Sequence, residues 1–194
     1  MPLVEDLLAF VDTETSGLVP GVARVIEVAT ILATLGGTEL ARFDARIQVP
    51  DEHAVPLEVA GINGFDRDEW RRTAVPFAEY EAFLKRWVQR GHVAVPVGHN
   101  VGFDRRMIHE SHYGARFCPL SYHLIDTVSL AGVLRQAGVI STPNLKLGTV
   151  CDALGVVRVK DHRAMSDCLA AREIYLRCAD LLREGHAFAV TSHG

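Results

Sequence analysis

A mixed β-sheet covered by helices is the architecture this sequence predicts, and three observations lead there. Strand-like runs come first and close together, in residues 7–11, 23–34 and 40–49, with Gly36-Gly37 as a turn between the last two. After Pro76, strand-like runs alternate with stretches of helical period, the pattern of an α/β domain. The 194 residues fit one domain, large enough to bury roughly 70% of the surface of its unfolded chain.

Each element has its own reason. Leu7-Leu8-Ala9-Phe10-Val11 is a continuous apolar run and reads as a buried strand. ARVIEVATILAT, at 23–34, is rich in β-branched residues and gives a second strand. LARFDARIQV, at 40–49, alternates apolar and polar residues and gives a third with one wet face, so that the three form an antiparallel meander. Residues 51–63, between Pro50 and Pro56 at one end and Gly61 and Gly64 at the other, read as loop and short helix. Pro76 opens a helix, PFAEYEAFLKRWVQR, whose Phe77, Tyr80, Phe83, Leu84 and Trp87 make a core-facing stripe. A fourth strand follows at 93–97. Pro96 interrupts it, since proline lacks a ladder donor, and either a bulge absorbs the break or the strand shortens to Val97 and Gly98. Helices at 103–113, 127–136 and 144–154, the last ended by Gly155, surround a short fifth strand at 122–125. The last helix runs from about 163 to 182, with Leu169, Ile174, Tyr175, Cys178 and Leu181 apolar. Residues 1–184 form a single domain and 185–194 a loose tail.

Composition narrows the function classes. Hydrophobic residues make up 48% and charged residues 23%, the balance of a soluble globular protein, and no apolar run is long enough to cross a bilayer. The opening MPLVEDLLAF carries two acids and no basic leader, unlike a secretory signal. Cys118, Cys151, Cys168 and Cys178 show no CxxC spacing, which argues against a zinc ribbon or redox motif and for reduced thiols in a cytoplasm. A net charge of −4 does not suit a protein that coats DNA, but leaves room for an enzyme that grips nucleic acid at one point.

The stretch FVDTETSGL, 10–18, ends the first strand in two acids. Residues two apart in a strand share a face, so Asp12 and Glu14 project together and Thr13 points away. Two carboxylates a few ångströms apart repel by roughly 1 kcal/mol in water and several times that where water is scarce. A shared proton or a divalent cation offsets this; the plain alternative is a solvated strand end. GHNVGFD, 98–104, offers a third acid: Asn100 is a good N-cap, which puts Asp104 in the first turn of a helix that follows a strand. Strand ends followed by helix starts are where open α/β sheets place their sites; the alternative is that Asp104 only complements the helix dipole. In DHRAMSD, 161–167, His162 and Asp167 are five apart, about 140° on a helix. They cannot share a helical face, so His162 belongs to the entry loop, with Asp161 as its candidate cap, and Asp167 to the helix.

Together the three segments resemble the motifs of the DEDDh, or DnaQ-like, exonucleases, the family of the proofreading (epsilon) subunit of bacterial DNA polymerase III. FVDTETSGL resembles the first motif, GHNVGFD the second and HRAMSD the third, in order and spread over nearly the whole chain. RVIEVATI, with Glu27 inside it, resembles the family's second strand, GINGF (61–65) its short HGIT-like segment with Asn63 as a departure, and IDT (125–127) and NLKL (144–147) its fifth strand and a following helix. The resemblance implies a ribonuclease-H-like fold, in which a three-strand antiparallel meander and two parallel strands make a five-stranded sheet flanked by helices. It also implies removal of nucleotides from a 3′ end of single-stranded nucleic acid. Asp12, Glu14, Asp104 and Asp167 are then ligands for two Mg²⁺ or Mn²⁺ ions, for which hard carboxylate oxygens are suited. Such ions, roughly 3.5–4 Å apart, clamp the attacking and leaving oxygens of an in-line displacement. His162, with an unperturbed pKa near 6.5, serves as general base for the attacking water. By the same resemblance Thr13, Leu18, His99, Asn100 and Phe103 contact substrate. Leu18 reads equally as a core leucine, Asn100 reads more as a cap than as a ligand contact, and Asp126 starts a helix rather than binding metal.

DNA is favoured over RNA because FVDTETSGL leans away from the DLEMTGL-like version of oligoribonucleases; a 3′–5′ exoribonuclease is the alternative. A polymerase subunit is a possible partner, and the oligomeric state is left open. Two other classes compete. Haloacid-dehalogenase-like phosphatases open with DxD, but Glu14 replaces the second Asp and no later paired-acid motif follows a strand. A non-catalytic nucleic-acid-binding module is expected to lose an acid or the histidine, and all five are present.

Overall fold

The computed structural model describes residues 7–88, 93–113, 116, 118–159 and 163–191, with side chains through residue 184. Five strands, β1 (Leu7–Thr15), β2 (Val25–Ala33), β3 (Glu39–Arg46), β4 (Ala94–Gly98) and β5 (Ile125–Asp126), form one sheet in the order β3-β2-β1-β4-β5. β1, β2 and β3 pair antiparallel and β4 and β5 add on parallel, the mixed sheet expected from the sequence. The helices are α1 (Leu57–Asn63), α2 (Arg67–Thr73), α3 (Phe77–Trp87), α4 (Val101–Ile108), α5 (Thr127–Gln136), α6 (Leu147–Leu154) and α7 (Ala164–Thr191).

Strand alternation sorts the core into layers. Ala9 and Val11 of β1 and Val28 and Leu32 of β2 face Tyr80 and Leu84 of α3 and Val101, Met107 and Ile108 of α4. Leu8 and Phe10, with Ala29 and Ile31, face Ala164 and Cys168 of α7. α5 and α6 pack on the other flank of α7 through Leu134, Val150, Cys151 and Ile174. With helices on both sides, β2 is buried along its whole length, which is why its sequence is apolar apart from Glu27 and Thr30. Each large aliphatic there contributes about 2 kcal/mol of burial free energy. All four cysteines are buried and unpaired. Among the described residues no helix is long and apolar enough to cross a membrane.

Several local readings change. α2 has no counterpart in the sequence reading, although Asp66 caps it by accepting the Glu69 N–H at 2.7 Å. β5 holds two residues because Ser121–Leu124 turns instead of extending: Ser121 Oγ accepts the His123 N–H, and Tyr122 is exposed. α6 begins at Leu147, since the Asn144 side chain takes the Lys146 N–H and the Thr149 hydroxyl and builds a turn ahead of it. The expected 103–113 helix is α4 followed by a π-helical turn, His109–Tyr113. Trp87, expected in the core stripe, is 38% exposed at the end of α3. α7 continues past residue 182 through Thr191, taking in positions read as a loose tail.

Pro96 sits inside β4, opposite Ala9 of β1. Ala94 directs its own N–H and C=O to Pro119 and Ser121. By alternation the Pro96 nitrogen lies on that same side, where β5 begins only at Ile125. The missing donor therefore falls on a side with no strand yet to pair, and β4 passes through without a bulge.

Candidate active site

The end of β1, the central strand, and the starts of α4 and α7 meet at one end of the sheet. Phe10 faces α7, so by period two Asp12 and Glu14 face α7 as well. Asp167 lies in the first turn of that helix. Thr13 points to the opposite layer, as its parity requires, and there it finds Asp104: its N–H donates to Asp104 Oδ1 at 2.9 Å and its hydroxyl to the same oxygen at 2.7 Å. The middle residue of the DTE triplet thus orients the acid of the second motif. Gly98 makes the approach possible. A Cβ there would stand 2.7 Å from the Val11 carbonyl oxygen and 3.0 Å from the Val101 side chain.

The carboxyls act on one another. Asp12 is pushed well above the usual carboxylic range, first by burial and then by the charges of Asp104, Asp167, Glu14 and Glu27. Glu14 is pushed up to about 8 by burial, then by Glu27, Asp167 and Asp104, while Arg163 pulls the other way. Asp104 is pushed up to about 7 by burial, against the two Thr13 hydrogen bonds that favour its anion. These groups sense each other because little water screens them.

Glu27 is the acid whose place in the site the sequence did not disclose. It lies directly across the strand pair from Glu14 and is fully buried. It accepts the Ala164 N–H at 3.0 Å and pairs with Arg163 at 3.0 Å, so it fixes the first turn of α7 to the sheet. An acid in the middle of an otherwise apolar strand, RVIEVATI, is the sequence feature that marks it. Asp167 has a partner equally unforeseen: Arg158, in the segment after α6, donates from Nε to Oδ1 at 2.8 Å and from Nη2 to Oδ2 at 3.2 Å.

The other expected residues divide. His162 lies outside the described residues. His99 has both ring nitrogens committed, Nδ1 with the Thr127 hydroxyl at 2.9 Å and Nε2 with the Leu145 carbonyl at 2.8 Å. Burial lowers its pKa, so the ring is a neutral brace between β4 and α5 and has no nitrogen left for substrate. Thr13 has given both its donors to Asp104. Phe103 packs against the main core. Asn100 occupies the N-cap position of α4, but at φ 67° its side chain makes no capping bond; instead its N–H is held by Asp126 Oδ1 at 3.0 Å. Its amide side chain is exposed. Asp126 caps α5 through the Val128 N–H, a helix-starting role as expected. Leu18 is 81% exposed, which removes the reading of it as a core leucine, and Val19 and Val22 beside it are exposed too. The far wall is α1, whose Asn63 donates to the Thr15 carbonyl at 3.2 Å.

Hard carboxylate oxygens and an excess of negative charge suit divalent cations of the magnesium type. As the side chains stand, no three His, Cys, Asp or Glu among the described residues form a group that could hold a metal ion. Both Asp167 oxygens are turned to Arg158. The donor set fits such ions once Asp167 is released from Arg158.

Residues 9–175 match the RNase_T exonuclease family. The chain belongs to the DnaQ-like exonucleases. Among curated members of this family it is 27% identical over 164 residues to the DNA polymerase III subunit epsilon of Treponema pallidum, covering 84% of this chain and 72% of that one. To the PolC-type DNA polymerase III of Thermotoga maritima it is 24% identical over 174 residues, 89% of this chain and 12% of that protein. Among solved structures it superposes on exonuclease I with a TM-score of 0.75 at 18% identity, covering 89% of this chain. On the zinc-bound form of E. coli exonuclease I with single-stranded DNA the TM-score is 0.74 at 20% identity, over 88% of this chain. The DnaQ-like chain spans 40% of the length of each of these exonuclease I chains, and at such identities the likeness is one of fold. The ribonuclease-H-like sheet and the exonuclease family read from the three motifs are both borne out.

Proposed function

We propose that this chain is a metal-dependent 3′–5′ exonuclease of the DEDDh type that hydrolyses the terminal phosphodiester of single-stranded nucleic acid, with DNA favoured. The observation that supports this reading is the electrostatic pressure on Asp12 and Glu14, which burial and the charges of Asp104 and Asp167 push up together near the end of β1 and the starts of α4 and α7. These four carboxylates would hold two Mg²⁺ or Mn²⁺ ions. When bound, such ions supply charge stabilisation to the attacking and leaving oxygens of an in-line phosphoryl displacement.

The protein's own groups do the rest. Asp104 is held in one orientation by Thr13 before any ligand arrives, which lowers the reorganisation needed at the moment of reaction. Glu27 fixes the turn of α7 from which Asp167 projects. His162, adjoining that turn in sequence, takes the proton of the attacking water as general base. The exposed leucine of the β1–β2 loop, Leu18, and the exposed amide of Asn100 offer an apolar surface for a terminal base and a polar contact beside it. The Treponema epsilon subunit and the exonuclease I complex with single-stranded DNA support DNA as the substrate. The epsilon likeness supports a polymerase subunit as partner. Cytoplasmic placement and a single catalytic domain over residues 1–184 complete the reading.

The test is incubation with 5′-labelled single-stranded DNA and Mg²⁺. A ladder shortening from the 3′ end, abolished by chelator and lowered on the order of 10³-fold in Asp12→Ala, is the expected result. Cleavage that persists in EDTA or in the variant overturns the proposal. Matched RNA oligomers decide the sugar preference.

A further inference from the structure

We propose that Arg158 sets the metal affinity of the site: its guanidinium holds both oxygens of Asp167 and has to be displaced before a divalent cation can bind there. The proposal rests on the reading of Asp167 as a metal ligand and deepens it.

The segment that carries Arg158 is inverted relative to its own hydrophobicity. Val156 is buried, with its N–H held by the Cys151 carbonyl at 2.9 Å. Then Val157 is 95% exposed and Val159 62% exposed, while the charged side chain between them points inward and is only 14% exposed. An apolar–polar alternation normally settles the other way round. What holds this one is the planar fork of the guanidinium on the Asp167 carboxylate, itself 18% exposed. A bidentate arginine pair is among the stronger polar contacts in a protein.

Arginine cannot yield by losing its proton. A lysine or histidine in that place can lose its proton as a cation approaches; a guanidinium keeps its charge and must move. The contest at Asp167 is therefore cation against cation, and the metal-free pair lowers the affinity for an entering ion by its own strength. Displacement leaves a positive, fork-shaped donor beside the acids, suited to a phosphate oxygen. Metal and a nucleotide 5′-phosphate then assist one another's binding, because each uses what the other frees, and such coupling is reciprocal.

The experiment is titration of the full chain with Mn²⁺ alone, read by the EPR signal of free Mn²⁺, for wild type, Arg158→Gln, Arg158→Lys and Asp167→Asn. Arg158→Gln should bind its weaker ion about tenfold more tightly, the factor of a competing contact of ~1.4 kcal/mol. Arg158→Lys should fall between it and wild type, and serves alone if the glutamine variant fails to fold. A merely structural arginine would give the opposite direction, weaker binding in both variants. Adding a nucleoside 5′-monophosphate should tighten Mn²⁺ binding in wild type more than in Arg158→Gln. Unchanged or weakened Mn²⁺ affinity in the Arg158 variants, with Asp167→Asn losing an ion, overturns this inference alone. Full Mn²⁺ stoichiometry in Asp167→Asn overturns the metal role of Asp167 and the inference with it.

Discussion

Asp104 and Asp167 flank the β1 acids from opposite layers of the sheet, and the protein holds them in opposite ways. Asp104 is gripped by two neutral donors from Thr13, which favour its anion and leave its charge uncompensated. Asp167 is gripped by a full positive charge. A neutral grip fixes geometry and keeps the electrostatic demand for a cation; a charged grip meets that demand in advance. On the proposed metal-dependent reading, the α4 side of the site would take a metal as it stands, and the α7 side would first have to give up a partner.

The largest effect that tests this contrast is expected on the α7 side. Glu27→Ala removes the buried acceptor of the Ala164 N–H and the anchor of Arg163, and should cost about 2 kcal/mol in urea unfolding. It should also weaken Mn²⁺ binding more than an equally destabilising change in the α3–β3 region. A loss below about 0.5 kcal/mol would mean that α7 is seated without it.

Thr13→Val keeps the size of the side chain and deletes one of the two neutral donors to Asp104. The expected result is a roughly tenfold lower kcat, the worth of one hydrogen bond to a charged group, with little change in global stability. If kcat and metal affinity are both unmoved, the Thr13 grip does not set the geometry of Asp104.

The smallest effect is thermal. Glu14 and Asp104 titrate in the folded protein at about 8 and about 7, above their ordinary values. A folded-state pKa that is raised adds stability at low pH that disappears as pH climbs through it. In EDTA the Tm should therefore fall by about 3 °C between pH 6 and pH 9, and Mg²⁺ at high pH should restore it. Glu14→Gln should flatten the profile; a Tm that rises across this interval in EDTA contradicts the strain assigned to these acids.

The sheet was legible in the sequence because its strands are long, apolar and separated by glycine turns, and the acids because motif spacing put each at an element boundary. What the chain does not spell out is the second partner of each group. Asp12 and Glu14 announce themselves at the end of an apolar run. Nothing local says that Thr13, facing the other way, will meet an aspartate 91 residues later, or that His99 will use up both ring nitrogens on Thr127 and Leu145. Arg158 is disguised by two valines, whose exposure depends on a carboxylate nine positions on. Asn100 was expected to cap α4 with its side chain; its left-handed backbone prevents this, and Asp126, remote in sequence, secures its N–H instead. Pro96 looks like a strand breaker until the layout of β5 is known.

Gly98 stands near the acids under a strict size limit. The strip between β1 and β4 is so narrow there that one methyl group would collide with the Val11 carbonyl and the first residue of α4. Widening that strip moves α4 bodily, and the carboxylate it carries would slide away from the hydroxyl that aims it. The reach from the first motif to the second is thus gauged by a missing carbon atom, and a neighbour of the site that touches no ligand fixes how far apart its two halves stand.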